Sequence, residues 1–86
     1  MYEIIVSNQA KKQLSELSSK IRNEIGSALE RIVIRPHKFV KRLRNSPYYK
    51  LNVSDYRVIL DVRDTALILM VIGVKQRGNV YKKRIS

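Results

Sequence analysis

The chain has no cysteine, one histidine, three glycines, two prolines and only seven acidic residues among 86. The missing cysteines exclude a disulfide framework and any thiolate metal site, and they fit a cytoplasmic protein. The single histidine, His37, excludes a histidine-pair mechanism of the pancreatic-ribonuclease kind within one chain. With no ligand partners in view, His37 reads as a loop residue without a role. Asp55, Asp61 and Asp64 are spread over turns and a strand. The carboxylate cluster that two-metal nucleases need is therefore not expected, and neither is any metal or cofactor. Long apolar runs are also missing. The longest, positions 66–74, spans nine residues, whereas a membrane span needs about 20. It reads as a buried strand, and no membrane association is expected. Glu3 interrupts the N-terminal apolar run, which shows no signal-peptide pattern.

What the chain has in excess is positive charge. Lys plus Arg number 18 against seven acids, a formal net charge of +11. Between positions 31 and 54 there are seven cations and no acid, and between 65 and 86 five more, again with no acid. Such charge bears on partners and solubility more than on fold. Nucleic acid is the first partner it suggests, because phosphate contacts by Lys and Arg release counterions. An acidic protein and an anionic surface are the others. Length predicts a single domain over 1–86, with a modest core.

Aromatic and β-branched residues at 2–6 predict a strand, stopped by Ser7-Asn8, either of which can cap a following helix. Ala10, Leu14, Leu17 and Ile21 recur at helical spacing, with a break near Leu17-Ser18-Ser19. Ile21, Ile25, Ala28, Leu29 and Ile32 line one face of a second helix that Pro36 ends. Gly26 within it costs about 1 kcal/mol relative to Ala. A basic connector, 37–47, leads to three strands at 48–53, 56–62 and 66–75, separated by Ser54-Asp55 and Arg63-Asp64 turns. The order β-α-α-β-β-β predicts an α+β domain, an antiparallel sheet covered on one face by a helical hairpin.

Alternation along strands assigns the other face. A two-residue Ser54-Asp55 loop pairs Val53 with Tyr56, Asn52 with Arg57 and Lys50 with Ile59. Paired residues share a face, so Lys50, Asn52 and Arg57 form one polar patch. Leu51, Val53, Val58 and Leu60 turn toward the helices. For the last strand, a three-residue loop pairs position 71 with Arg57 and puts Lys75 on the patch, whereas a two-residue loop turns Lys75 away. An Arg57–Asp61 pair along the strand is the plain structural alternative for Arg57.

These pieces, taken in order, resemble the RelE/ParE toxin superfamily, and within it the RelE branch. They are the opening Tyr-Glu-Ile-Ile-Val, the hairpin ending at Arg35-Pro36, Lys41-Arg42-Leu43, Tyr49-Lys50-Leu51, Asp55-Tyr56-Arg57-Val58-Ile59, and Val71 to Lys75 followed by Arg77-Gly78-Asn79-Val80-Tyr81. The resemblance implies a toxin of a type II toxin–antitoxin pair, a metal-independent endoribonuclease that cuts mRNA in the ribosomal A site. It implies an acidic, largely helical, RelB-like antitoxin wrapped around the toxin, in a hetero-oligomer able to bind operator DNA through the antitoxin. Carried over residue by residue, the active site falls on Lys50, Arg57, Lys75, Arg77 and Tyr81. Asn52 stands where the family has a second lysine, and Lys75 where it has an arginine. Lysine lacks arginine's planar, bidentate fork.

The chemistry is consistent with these residue types. In transesterification a ribose 2′-OH attacks the adjacent phosphate, and fixed cations stabilise the charge on the phosphorane. Arg57 and Arg77 are the best candidates for that. Tyr81 and Lys50 are the two candidates for the base, since nearby positive charge favours loss of a proton. Tyr81 has two further readings, stacking on an mRNA base or plain packing. Lys38, Lys41, Arg42, Arg44, Asn52, Lys82 and Lys83 are candidates for contact with mRNA and ribosomal RNA. A ParE-like inhibitor of DNA gyrase and a catalytically weakened RNA-binding homologue are the competing functions.

Overall fold

The computed structural model describes residues 1–77. Strand β1, Glu3–Val6, leads into helix α1, Asn8–Ser15, and helix α2, Ser19–Ile32. A 3-10 turn at Pro36–Lys38 precedes strands β2, Lys41–Arg42, β3, Tyr49–Val53, β4, Tyr56–Arg63, and β5, Ile68–Gln76. Both helices start as their sequences dictate. The Ser7 hydroxyl accepts from the Ala10 N–H, and the Ser18 hydroxyl accepts from the Ile21 N–H. Each cap satisfies one of the orphan donors of a first turn. α2 stops at Ile32, four residues before Pro36. The two residues before Arg35 are already outside the helix, so the proline confirms a stop rather than making it.

The sheet order is β1-β5-β4-β3-β2. β1 runs parallel to β5, with Ile4 beside Leu69 and Val6 beside Val71. The sheet is therefore mixed, where an antiparallel one was expected. The reason is the helical hairpin: it carries the chain back across the sheet, so that β1 and the last strand point the same way. β2 is a second departure. Lys41 and Arg42 lie within the expected connector, yet they pair with Lys50 and Tyr49. Two residues between a 3-10 turn and a hairpin carry no periodicity to read.

One face of the sheet is packed. Val58, Leu60, Leu69 and Val71 are wholly buried, as are Ala10 of α1 and, almost completely, Ile25 and Ile32 of α2. Removing that apolar area from water stabilises the fold at roughly 25 cal/mol per Å². The β3–β4 pairing matches the expected register, from Val53 with Tyr56 to Lys50 with Ile59. No helix among the described residues is long and apolar enough to cross a membrane.

Gly26 is solvent-exposed within α2, and a Cβ added there meets nothing within 4 Å. Gly26→Ala is expected to raise stability by about 1 kcal/mol, through the lost flexibility of the unfolded chain. The midpoint of urea unfolding checks this, and an unchanged or lowered midpoint contradicts it.

Candidate active site

The sheet face opposite the core carries the functional candidates. Along β4, Arg57 and Ile59 alternate with the buried Val58 and Leu60. β5 is more complicated. From Arg63–Ile68 to Leu60–Val71 the strands pair in one register, and from Ile59–Gly73 to Tyr56–Gln76 in another. The shift leaves Ile72 as an extra residue in β5, a β-bulge. Without it Arg57 would oppose Val74, and Lys75 would turn to the helix side. With it, Lys75 pairs directly with Arg57. The β4–β5 loop is four residues, 64–67, and Leu67 takes a left-handed conformation with φ 56°. Neither loop length considered from sequence was right. The face of Lys75 is that of the three-residue alternative, reached by a different pairing.

α1 holds the bulged segment. Once β1 has ended, Ser7 N–H still donates to the Val71 carbonyl. Beyond it, the Val74 N–H donates to Oε1 of Gln13 at 2.7 Å. A side chain on α1 thus completes the hydrogen bonding of a strand edge that has lost its neighbour.

Two cross-strand rows result. One runs Lys41, Lys50, Ile59, Gly73, and the next Asn52, Arg57, Lys75. Side chains paired in this way lie about 4.5–5.5 Å apart at Cβ. Two of the pairs, Lys41–Lys50 and Arg57–Lys75, are like-charged. Such pairs destabilise a sheet, so they make sense where an anion comes to lie between them. Arg57 is half-buried, and its Nε makes no hydrogen bond among the described residues. The alternative partner Asp61 is taken by Arg63, at 3.0 Å, so the Arg57–Asp61 pair does not form. Arg77 lies two residues beyond Lys75, just past the end of β5. Its backbone N–H donates to the Asp55 carbonyl at 2.7 Å, and its guanidinium to the Ser54 carbonyl at 3.1 Å. That places the guanidinium at the β3–β4 turn.

The remaining candidates scatter. Lys38 is exposed on the 3-10 turn and Arg44 in the β2–β3 hairpin. Arg42 is paired with Tyr49, on the side opposite Lys41 and Lys50. Its guanidinium lies 5.7 Å from the Tyr49 ring centre and donates to the Ser46 carbonyl. Tyr81, Lys82 and Lys83 lie outside the described residues. A larger hollow, about 600 Å³, lies between α2 and the edge of β3, where Lys20 and Arg31 mix with Glu24. It contains neither like-charged pair. Among the described residues, no three His, Asp or Glu gather as metal ligands would.

His37 is not the isolated residue expected from sequence. Its Nε2 lies 2.7 Å from Asp64 Oδ1, which also accepts from the Tyr2 hydroxyl at 2.7 Å. Its ring meets Tyr49 edge-on, 5.2 Å between centres. This cluster ties β1, the 3-10 turn, β3 and the β4–β5 turn together at the end of the sheet away from Arg57. Its members are up to 62 positions apart, so no local signal marks it. Hydrogen bonds from Tyr2 and then His37 hold the Asp64 carboxyl below its usual range. The bond to Asp64 pushes the Tyr2 hydroxyl up.

Comparison with known proteins places the chain. The family model for the ParE toxin of type II toxin–antitoxin systems matches residues 4–81. The mRNA interferase toxin RelE of Escherichia coli K12 is 27% identical over 90 residues, covering 99% of this chain and 95% of that one. The crystal structure of the isolated E. coli RelE toxin superposes with TM-score 0.77 at 26% identity, over 99% of this chain and 96% of that one. The toxin–antitoxin complex RelBE2 of Mycobacterium tuberculosis gives TM-score 0.81 at 19% identity, over 88% and 98%. That of the intact E. coli RelBE complex gives 0.78 at 24% identity, over 91% and 99%. The fold is that of the RelE toxins. The chain belongs to the ParE toxin family, within the RelE/ParE superfamily.

Two expectations follow from the geometry. Lys75→Gln removes one like-charge pair and should stabilise the fold by a few tenths of a kcal/mol, the low end for an exposed side chain. The gain should shrink with added salt. Equal or lower stability at low salt would contradict the repulsion. For the Asp64 cluster, a folded-state pKa below the unfolded value means stability present above the ordinary carboxylate range. That stability is lost as pH falls through the folded value. Asp64→Asn should therefore be less stable than the parent at neutral pH and equal to it in acid. A gap that persists in acid would show that charge is not the cause.

Proposed function

We propose that this toxin is a ribosome-dependent, metal-independent endoribonuclease that cuts mRNA in the ribosomal A site. The observation that carries the reading is the Arg57–Lys75 pair beside Lys41–Lys50, two like-charged cross-strand pairs on one sheet face. The names of the curated relatives, mRNA interferases, support it.

The chemistry suited to such a face is transesterification. The 2′-OH attacks the adjacent phosphorus, its proton passes to a base, and the P–O5′ bond breaks as the 5′ oxygen takes a proton. The products are a cyclic 2′,3′-phosphate and a 5′-OH. Arg57, paired with Lys75 and with Arg77 at the neighbouring β3–β4 turn, stabilises the charge that builds up on the phosphorane oxygens. Tyr81, outside the described residues, or Lys50 serves as base. Asn52 contributes a neutral hydrogen-bonding group where the family has a cation. Lys38, Lys41 and Arg44, and the tail residues Lys82 and Lys83, contact ribosomal RNA or mRNA. Arg42, turned to the other side on Tyr49, docks the opposite flank. An acidic, RelB-like antitoxin neutralises the +11 chain; the toxin–antitoxin complexes among the similar structures support an antitoxin partner.

Primer extension on translated mRNA after induction tests this. New 5′ ends within codons are expected from the parent chain. Arg57→Ala should reduce cleavage by roughly 10²–10³-fold, as losing one transition-state donor does, with the fold retained. Loss of supercoiling without any cuts would overturn the nuclease reading in favour of gyrase inhibition.

A further inference from the structure

Beside the cationic rows lies a groove of about 310 Å³ with Lys75 on its rim. That is near the lower end of ligand-sized clefts, roughly 300–1,000 Å³. Tyr48 and Leu43, on the β2–β3 hairpin, form one wall. Ile59, Ile72 and Gly73 form an apolar floor, and Gln9 and Gln13 of α1 the facing wall. Tyr48 is 38% exposed, a large aromatic side chain left partly in water. A planar ring suits an aromatic wall and an aliphatic floor, and amide side chains suit the edge of a nucleobase.

Gln13 makes the fit more specific. A backbone N–H can only donate, so its bond to Gln13 settles which amide atom faces β5. Oε1 is turned to Val74 at 2.7 Å. Its NH₂ offers a ligand two donors and no acceptor. Gly73 lies directly under that amide, since a Cβ there would stand 3.5 Å from the same Oε1, in ordinary contact. Lys75 joins the groove to Arg57, so a ring in the groove sets its phosphate against the cationic pair.

We propose that this groove is a nucleobase pocket for the nucleotide adjoining the scissile phosphate. In it the Gln13 NH₂ selects the O6 edge of guanine or the O4 edge of uracil over the N6 amino edge of adenine or the N4 amino edge of cytosine. The inference rests on the RNA-cleaving reading and adds base selection to it.

Titration of the purified full chain with the four nucleoside 3′-monophosphates, followed by NMR, tests it. The guanosine and uridine nucleotides should move the Gln13 side-chain NH₂ and Gly73 amide signals and bind roughly tenfold more tightly than the other two, the scale of one good amide–base contact. Gln13→Glu keeps an acceptor for Val74, and so keeps its exchange protection, but should abolish the preference for the guanosine and uridine nucleotides, since a carboxylate has no donor. Equal affinities in the parent chain, with signals moving only around Lys50, Arg57 and Lys75, would overturn the pocket and leave the cleavage reading intact. No signal change with any nucleotide at millimolar concentration would also overturn it. Base discrimination in this titration, with no mRNA cuts after induction, would instead keep the pocket and overturn the nuclease.

Discussion

A single extra residue in β5, held by a side chain from α1, governs the geometry of the cationic face. Ile72 has no partner in β4, and pairing shifts by one residue across it. Every side chain after the shift is thereby turned to the opposite face from the one it would otherwise take. Val74 goes to the core and Lys75 to the surface beside Arg57. The bulged stretch lies past the end of β1, where a strand edge would lack a hydrogen-bonding neighbour. Gln13 supplies one acceptor there. The helical hairpin thus covers the core and also braces the strand that carries half of a like-charged pair.

Placing Lys75 opposite Arg57, and Lys41 opposite Lys50, works against the sheet. The opposing pull comes from the other face, where Val58, Leu60, Leu69 and Val71 are wholly buried. The charges on the outer face are also sorted by position. Asp61 and Glu3 lie toward the Met70 and Ile68 end, with Asp61 engaged by Arg63. The Arg57 end has no carboxylate in its two cationic rows. A polyanion would find its strongest field over those rows, next to the groove walled by Tyr48 and Gln13.

Much of this was open to reading in one dimension. The serine caps, the stripe of Ile25, Ala28, Leu29 and Ile32, and the register across Ser54-Asp55 depend on residues close in sequence. Local rules act on such residues directly. What escaped reading was non-local. The parallel pairing of β1 with β5 joins the two ends of the chain, and nothing within either strand specifies its partner. β2 is too short to carry a pattern. His37 gained its partners, Asp64 and Tyr49, only by folding. Asp61 lies within reach of both Arg57 and Arg63 on one face of β4, and pairs with Arg63.

The sequence by itself determined the excess of positive charge, its separation from the acids, the two capped helices and the Lys50–Asn52–Arg57 patch. Composition and short-range periodicity suffice for these. The tertiary structure decided the face of Lys75, the bracing of β5 by Gln13, and the groove between α1 and the β2–β3 hairpin. Each depends on a one-residue shift between strands or on a contact between distant segments. Alternation has no memory of an inserted residue, so only the paired strands reveal on which side of the sheet Lys75 stands.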